Sequence, residues 1–452
     1  MINFLPLGGA NEIGANSYYL DIEGTGIILD CGMHPQKLGL DSLPNFDLIA
    51  DRPVDFVLIS HAHLDHLGSL PYLVQRHPYI KIITTPQTRA IAELTLHNSV
   101  SILKEQLKET DEIKIYSHAE IDLLIQSISY HNYKEEFELE GYNGNCIIKA
   151  SFHDAGHILG SAGIMLEFGG KKLFYTGDIN LSRQSLIDKA ELPHTKVDIL
   201  LLESTYGSTD TGTIPLWNKE GKRLATEANK IIGEGGSVLI PVFSLGKHQE
   251  ILSTIWNLME AGSLAKTDIY TGGIGPKISR IYDYNRYAVN RTDKEFELWD
   301  IPQKNLFDVM NYEDFFRPPS IVLASSGMLL PGTVSFNLAK YWLKKPNSAI
   351  FTVGYMEENT PGYIVSNSSN GEKIKLTNTS ENEIVKCRIK KFRFSSHAVR
   401  EQLMDVVKKL NPSEVVIVHG DPPSVDWVGG TILREYEHMK VYAAEPGKEL
   451  AL

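Results

Sequence analysis

The stretch that decides the fold is His61-Ala62-His63-Leu64-Asp65-His66. The run before it, residues 54–60, is short, mostly apolar and β-branched, which predicts a buried strand that ends at this motif. Alternate residues of an extended segment point the same way, so His61 and His63 can reach one ion. Asp65 and His66, after a turn, can reach a second. Imidazole nitrogens with a carboxylate suit Zn²⁺, with Mn²⁺ or Fe²⁺ as alternatives.

The other interpretation of this stretch is a polar loop with scattered histidines. Histidine is a scarce residue, and three of them with an aspartate in six positions match the spacing of metal ligands. The motif therefore favours a metal site.

Length and composition restrict the class of protein. A chain of 452 residues predicts two or three domains. Because no run of eighteen apolar residues occurs, we expect no membrane span, and the N-terminus is typical of a strand rather than a signal peptide. The three distant cysteines predict reduced thiols and a cytoplasmic location. The formal charge of −12 argues against indiscriminate nucleic-acid binding, although bound divalent ions could still create an RNA-binding cleft.

Several strand-like runs end in a side chain that can bind or orient a metal. Asp30, Asp178, Glu203 and His419 each follow such a run. In layered α/β folds the strand ends build the site, so the repetition is stronger than any single case. Asp30 would hold a motif histidine in one tautomer, the alternative being a turn-forming aspartate. Asp178 could bridge two metals.

Small residues surround two further histidines in the segment 152–163. Glycines there permit the close backbone approach that a metal site requires. We expect a structural or ligand-orienting role for His153 rather than ligation.

A different pattern begins after residues 208–215, which are rich in Ser, Thr and Gly and are interpreted as a linker. From 217 to 353 helical and strand-like runs alternate, which predicts a second, Rossmann-like domain. Ser325 and Ser326 follow a strand and could present backbone N–H groups to a phosphate, or form an ordinary turn. Lys247 is a further candidate phosphate contact. Residues 111–145 show no clear helical or strand-like periodicity.

The motifs, in this order, resemble the metallo-β-lactamase superfamily. The insertion after Glu203 resembles its β-CASP branch of RNA-processing nucleases, the group that contains RNase J and the cleavage-and-polyadenylation endonuclease. The resemblance covers nearly the whole chain and rests on these stretches: Gly8-Gly9, Glu12-Ile13-Gly14, Leu29-Asp30-Cys31-Gly32, residues 61–66, Asp154-Ala155-Gly156-His157, Thr176-Gly177-Asp178, Glu203-Ser204-Thr205-Tyr206-Gly207, Ser325-Ser326-Gly327-Met328-Leu329, Gly354-Tyr355, Thr360-Pro361-Gly362, Ser396-His397 and His419-Gly420.

The resemblance implies an α/β fold: a four-layer αββα metallo-β-lactamase domain made of residues 1–207 and 366–452, with the β-CASP domain inserted at 208–365. It also implies two Zn²⁺ per chain, with Mn²⁺ as an alternative. One zinc would be bound by His61, His63 and His157, the other by Asp65, His66 and His419, with Asp178 and a water bridging them. Asp65, Glu203 and His397 would be the catalytic residues, Glu203 orienting His397 near the leaving group.

The activity implied is hydrolysis of single-stranded RNA to 5′-phosphate and 3′-hydroxyl products, during RNA processing or decay. The mode, internal or from a 5′ end, stays open, as do the RNA sequence preference and the physiological metal. A homodimer is expected because relatives pair. The alternatives are a DNA nuclease of the same fold, a hydrolase of small esters, and a non-catalytic nucleic-acid-binding subunit.

Two features depart from the family pattern. The residues after His397 are Ala398-Val399-Arg400, where relatives have a small residue followed by Asp or Ser. The chain ends at Leu452, soon after His419, so we expect the cleft itself, without an extra domain, to hold a single strand of RNA.

Overall fold

The structure, a computed structural model, describes residues 2–37, 39–106, 116–378 and 380–452. The chain divides into two compact units. The first comprises Met1–Ser182, Lys189–Thr213 and Ser396–Leu452, and the second comprises Arg183–Asp188 and Ile214–Ser395.

In chain order the strands are β1 (Ile2–Gly8), β2 (Ser17–Ile22), β3 (Thr25–Leu29), β4 (Phe56–Leu58), β5 (Lys81–Thr84), β6 (Ile128–Tyr130), β7 (Glu136–Leu139), β8 (Ile148–Asp154), β9 (Ala162–Phe168), β10 (Lys171–Tyr175), β11 (Ile199–Glu203), β12 (Val238–Pro241), β13 (Asp268–Thr271), β14 (Lys304–Asn305), β15 (Ser320–Ala324), β16 (Ala349–Thr352), β17 (Lys373–Lys375), β18 (Asn382–Ile384), β19 (Arg388–Lys391), β20 (Glu414–Val418), β21 (Lys440–Ala443) and β22 (Leu450–Ala451). The α-helices are α1 (Leu64–Leu67), α2 (Leu70–Arg76), α3 (Pro86–Gln106), α4 (His118–Ser127), α5 (Trp217–Gly233), α6 (Lys247–Glu260), α7 (Gly275–Tyr284), α8 (Val334–Trp342), α9 (Pro361–Ser366), α10 (Arg400–Leu410) and α11 (Pro422–Glu435).

Two mixed seven-stranded sheets form the first unit. Their strand orders are β22-β1-β2-β3-β4-β5-β6 and β21-β20-β11-β10-β9-β8-β7. Apolar side chains from both sheets, among them Phe4, Leu20, Phe152 and Ile164, share one fully buried cluster, so the sheets pack face to face. The outer face of the second sheet buries residues such as Leu200 against α10 and α11. This is the expected αββα layering, and the fold class is confirmed.

The second unit is built on a six-stranded parallel sheet of order β14-β13-β15-β12-β16-β19. The central strand β12 reads Val-Leu-Ile-Pro and is fully buried, as a strand covered by helices on both faces should be. Trp342 of α8 packs in the apolar cluster on one face of the sheet. The alternation of helix and strand from 217 to 353 is therefore the Rossmann-like arrangement that the sequence predicted.

The predicted return to the first domain at residue 366 differs from the boundary between the two compact units. The parallel pairing continues past it, because β19 pairs with β16, Ile389 lying opposite Ile350. β19 reads Arg-Ile-Lys-Lys and occupies the edge of the sheet, where charged residues are tolerated and protect against further pairing. The chain rejoins the first unit only at Ser396. The start of the insertion, expected at 208, lies at Ile214.

The segment 111–145 proves to hold α4, β6 and β7 from residue 118 onward, whereas its first five residues lie outside the described part of the chain. The sequence pattern at 86–107 predicts a helix, which corresponds to α3, and its last residue lies outside the described part of the chain. Among the helices that the structure describes, none combines the length and the apolar character needed to cross a bilayer.

Candidate metal centre

Parallel strand pairs bring the metal-capable side chains to neighbouring strand ends. In the first sheet Leu29 pairs with Leu58, so Asp30 and the 61–66 motif follow adjacent strands. In the second sheet Glu203 pairs with Val418, which places His419 directly beside it. The carboxyl ends of parallel strands meet at the same edge of a sheet, which is why residues more than two hundred positions apart converge.

Two of these side chains stand on unusual backbone. Asp30 has φ 59° and His419 has φ 49°, in the left-handed region that non-glycine residues seldom adopt. Each comes directly after its strand, β3 or β20. The two residues are fully or almost fully buried, and such conformations cluster at functional sites.

The first donor group comprises His61, His63, His157 and Asp178. Nε2 of His61 lies 3.1 Å from Nδ1 of His63, and Nε2 of His157 lies 3.2 Å from the same atom. Oδ2 of Asp178 is 3.5 Å from Nε2 of His61 and 3.6 Å from Nε2 of His157. One carboxylate oxygen and three imidazole nitrogens therefore face a common point.

The second donor group comprises Asp65, His66 and His419. Oδ2 of Asp65 is 3.6 Å from Nε2 of His66 and 3.6 Å from Nε2 of His419. The other oxygen of Asp178, Oδ1, lies 3.3 Å from Nε2 of His66 and 2.7 Å from Nδ1 of His419. Asp178 thus presents one oxygen to each group, the placement that a bridging carboxylate needs.

The donor atoms fit divalent ions in spacing and in chemistry. Ligand atoms bound about 2.0–2.1 Å from one tetrahedral ion are roughly 3.3 Å apart, close to the separations in the first group. Among the described residues, Oδ1 of Asp178 and Nε2 of His419 are buried and have no hydrogen bond of acceptable geometry. Buried polar atoms without partners are costly, and a cation would satisfy both.

Burial and charge act in opposite directions on the histidines. Burial, reinforced by neighbouring imidazoles, lowers the pKa of His61 and of His157 well below the ordinary value, so both are neutral and suited to ligation. Burial also lowers the pKa of His419, but the contacts with Asp178 and Asp65 together more than offset it and raise that pKa to about 10. Cation binding at the second group must displace a proton, so metal uptake competes with protonation.

Beside the donor groups, a buried carboxylate contacts a partly exposed histidine. Nδ1 of His397 is 3.3 Å from Oε1 of Glu203 and 4.0 Å from Oδ2 of Asp178. Glu203 is held by the backbone N–H groups of Ile179 and Thr205, at 2.8 Å and 3.0 Å. The His397 side chain is 18% exposed whereas Glu203 is 1% exposed, so the imidazole has access to solvent and its partner does not.

Asp30 lies behind the second group and contacts His66. Its Oδ2 is 2.7 Å from Nδ1 of His66, which leaves Nε2 of that ring facing the donor group. This is the ligand-orienting contact that the sequence predicted for Asp30. His153, by contrast, lies against Phe174 and Ser151, outside the donor groups that the described residues form.

Sequence reasoning missed three contacts to the ligands and one to Asp30. The backbone carbonyl of Ser396 accepts from Nδ1 of His157 at 2.7 Å, and Ser60 Oγ lies 3.0 Å from Nδ1 of His61. Tyr175 donates to Asp30 at 2.7 Å. The side-chain nitrogen of Asn16 is 3.0 Å from Nε2 of His66. Ser60 directly precedes the motif, the one signal that could have pointed to it.

The candidate phosphate contacts lie in the second unit. Ser326 accepts a bond from the backbone N–H of Leu330 at 3.0 Å and sits in the turn after β15, where its role stays a prediction. The carbonyl of Ser325 accepts from the backbone N–H of Ser335 at 3.1 Å in the same turn. Lys247 does not suit a phosphate contact, because it is buried and its ammonium donates to the carbonyl of Phe394 at 2.6 Å.

Burial also lowers the pKa of Lys247 to about 8, which is unfavourable for a residue that must carry charge to a phosphate. The sequence could not reveal this, since a lysine at the start of a helix is usually exposed.

Two packed sheets with histidines and carboxylates gathered at their strand ends define a metal-binding protein of the αββα class. Three family models match the chain. The metallo-β-lactamase superfamily matches residues 10–219, the Beta-Casp domain matches 248–364, and the Zn-dependent metallo-hydrolase RNA specificity domain matches 383–444.

Similar proteins come from archaea and eukaryotes. An "RNase J-like protein" of Methanocaldococcus jannaschii is 31% identical over 92% of this chain and 91% of its own length. "Cleavage and polyadenylation specificity factor 73" of Drosophila melanogaster is 30% identical over 97% of this chain. "Endoribonuclease YSH1" of Candida glabrata is 29% identical over the same share. The chain spans 62% and 57% of the length of these last two proteins.

A crystal structure of a protein of unknown function from Enterococcus faecalis V583 superposes over the full length of both chains with a TM-score of 0.60 and 12% identity, a likeness of fold alone. The chain belongs to the β-CASP branch of the metallo-β-lactamase superfamily.

Proposed function

We propose that this chain is a metal-dependent ribonuclease that hydrolyses phosphodiester bonds of single-stranded RNA during RNA processing or decay. The observation that carries the proposal is the geometry around Asp178. This residue faces a donor group with each oxygen, and His397, held by Glu203, lies 4.0 Å from it. A binuclear centre next to a proton-carrying imidazole suits in-line hydrolysis of a phosphodiester.

We propose two Zn²⁺ per chain, with Mn²⁺ as an alternative. The first would be held by His61, His63 and His157, the second by Asp65, His66 and His419, and both by Asp178. Nitrogen-rich donor sets with carboxylates favour zinc over the harder cations. When bound, such ions act as Lewis acids toward a phosphate and lower the pKa of a water.

The chain's own residues carry the proton. Glu203 accepts from Nδ1 of His397, so the proton that reaches the departing ribose oxygen is held at Nε2. Two backbone N–H groups bond Glu203, one at each carboxylate oxygen, and the carboxylate held in this way keeps the imidazole from rotating when that proton leaves. His397 is therefore assigned as the general acid and Glu203 as the residue that orients it.

The choice of RNA over other phosphodiesters rests on the comparisons. Residues 383–444 match a family described as an RNA specificity domain, and two relatives carry the names endoribonuclease and RNase J-like protein. The three cysteines are free thiols, which supports the cytoplasm as the proposed location. A homodimer is also proposed, and light scattering of the purified chain would test it.

The experiment that tests the proposal uses 5′-labelled single-stranded RNA, DNA of the same sequence, and purified protein loaded with zinc or manganese. We expect wild-type protein to cleave the RNA, and Asp65→Ala and His397→Ala to lose cleavage. Internal fragments would define an endonuclease, whereas release of mononucleotides would define an exonuclease. Cleavage of DNA alone, or of neither strand by metal-loaded protein, would reject the proposal.

A further inference from the structure

A single buried carboxylate gathers four hydrogen-bond donors behind the metal centre. Oδ1 of Asp30 accepts from the backbone N–H of Ser60 at 2.6 Å. Oδ2 accepts from the Ser60 hydroxyl, the Tyr175 hydroxyl and Nδ1 of His66, each at 2.7 Å. Asp30 is fully buried, and so many donors stabilise its charge without a neighbouring lysine or arginine among them.

The protons of this network can be assigned by counting. A hydroxyl has one hydrogen, and an ionised carboxylate can only accept hydrogen bonds. The Ser60 hydroxyl therefore donates its hydrogen bond to Asp30. The oxygen of Ser60 then faces Nδ1 of His61, 3.0 Å away, with a lone pair. Nδ1 of His61 must carry the hydrogen, and Nε2 presents its lone pair to the first donor group.

The other two histidines of the first group differ from His61 in their contacts. Nδ1 of His157 donates to the backbone carbonyl of Ser396 at 2.7 Å. His63 turns its Nδ1, not its Nε2, toward the group. His61 is therefore the ligand of the first group that the Asp30 network orients, as His66 is in the second.

Ser60 is closely packed in this position. A Cβ at Gly177 would lie 2.9 Å from the Cβ of Ser60, so the segment that carries Asp178 packs directly against the serine. Ser60 itself is fully buried. Tight packing holds the hydroxyl between Asp30 and His61 and favours this one arrangement.

We propose that Ser60 is a positioning residue that extends the control of Asp30 from His66 to His61, so that one carboxylate fixes a ligand tautomer in each donor group. This inference rests on the proposed metal-dependent function. As a consequence, Asp30 couples the two metal sites. It contacts His66 of the second site directly and His61 of the first site through the Ser60 hydroxyl. Contacts of this kind typically change metal affinity by about 10- to 100-fold.

The structure supplies a matched pair of variants. Ser60→Ala and Tyr175→Phe each remove one hydroxyl that donates to Oδ2 of Asp30 at 2.7 Å. The Ser60 hydroxyl also lies 3.0 Å from Nδ1 of His61 in the first donor group. It is 3.5 Å from Nδ1 of His66 in the second, but that nitrogen is closer to Asp30, at 2.7 Å. A role confined to stabilising Asp30 would make the two variants alike, whereas the proposed role makes them differ.

The experiment titrates metal-free full-length protein with Zn²⁺ against a chromophoric chelator, and with Co²⁺ followed by its visible absorption. We expect Ser60→Ala to bind one ion about 10- to 100-fold more weakly than wild type while the other stays tight. Tyr175→Phe should show no such separation. Equal binding curves for the two variants would overturn the inference.

A second measurement does not require a folded variant. Long-range ¹H–¹⁵N correlation spectra of histidine-labelled, zinc-free wild type should show His61 with its hydrogen on Nδ1, and a hydrogen on Nε2 would overturn the inference. Failure of wild type to bind either ion would instead reject the proposed metal-dependent function, so the two failures are distinguishable.

Discussion

Replacing Glu203 by glutamine separates the charge of this residue from its shape. Oε1 accepts from both Ile179 N–H and His397 Nδ1, while Oε2 accepts from Thr205 N–H. The amide oxygen of Glu203→Gln should occupy the Oε1 position, where it keeps two donors. Its NH₂ group then faces the Thr205 N–H, and two donors meet without an acceptor.

The expected magnitudes follow from these contacts. The donor left without an acceptor should cost about 1–3 kcal/mol of folding free energy. The bond to His397 changes from charge-assisted to neutral, which roughly halves its strength. A loss of about 1.4–2.7 kcal/mol in the transition state corresponds to a 10- to 100-fold slower reaction. His397→Ala removes the acid itself and should slow cleavage by about 10²- to 10⁴-fold.

The assay is single-turnover cleavage of 5′-labelled RNA by proteins of equal metal content. Glu250→Gln is the matched control, because Glu250 is also buried and also accepts two backbone N–H groups, those of Leu186 and Ile187. The stability of both variants in denaturant is measured beside the rate, and Glu203→Gln alone should lose rate. Equal cleavage rates for the two variants would refute the assignment of Glu203 as the residue that orients His397.

Three further outcomes are expected. A Cβ at Gly32 would lie 1.6 Å from the carbonyl oxygen of Asp65, so Gly32→Ala should lower both unfolding temperature and bound zinc, whereas Gly233→Ala, with nothing within 4 Å, should lower neither. Burial raises the pKa of Glu250 to about 7, above the ordinary value near 4.3, so its contribution to stability is full below pH ~4.3 and falls by about 3 kcal/mol as the pH rises to 7. In denaturant unfolding at each pH, the stability of Glu250→Gln should not show that fall. A fall of the same size as in wild type would contradict the assignment to Glu250. Lys247→Met should leave the salt dependence of RNA binding unchanged, because the ammonium is already bonded inside the protein. If the slope of log binding constant against log salt concentration fell by about one in magnitude, Lys247 would be a phosphate contact after all.

The sequence was sufficient for the parts of the fold that follow regular patterns. The spacing of apolar residues predicted the buried strand β12 and the alternating helices and strands of the second unit. The family resemblance predicted the αββα layers of the first. β19 was misassigned because a charged edge strand has no apolar signature and its pairing with β16 is a tertiary contact. The local sequence of such an edge strand does not show which strand it pairs with.

In the metal centre too, local features could be predicted and tertiary contacts could not. Ligand types and the 61–66 spacing are local, and the seven predicted ligands do converge, although their binding of metal stays a prediction. The orienting contacts of Ser60 and of the Ser396 carbonyl were missed because they depend on which backbone lies behind each ring. Lys247 was misjudged for a related reason, since burial of a helix start is decided by its neighbours.

A metal titration of cleavage shows whether RNA hydrolysis depends on metal bound at Asp178. Metal-free protein would be mixed with increasing equivalents of Zn²⁺ or Mn²⁺, and the rate of single-stranded RNA hydrolysis would be followed beside the bound metal. We predict no cleavage without metal, a rate that rises with metal bound at the Asp178 centre, and no rise in Asp178→Asn. Cleavage that persists in metal-free protein, or full metal occupancy without RNA cleavage, would contradict it.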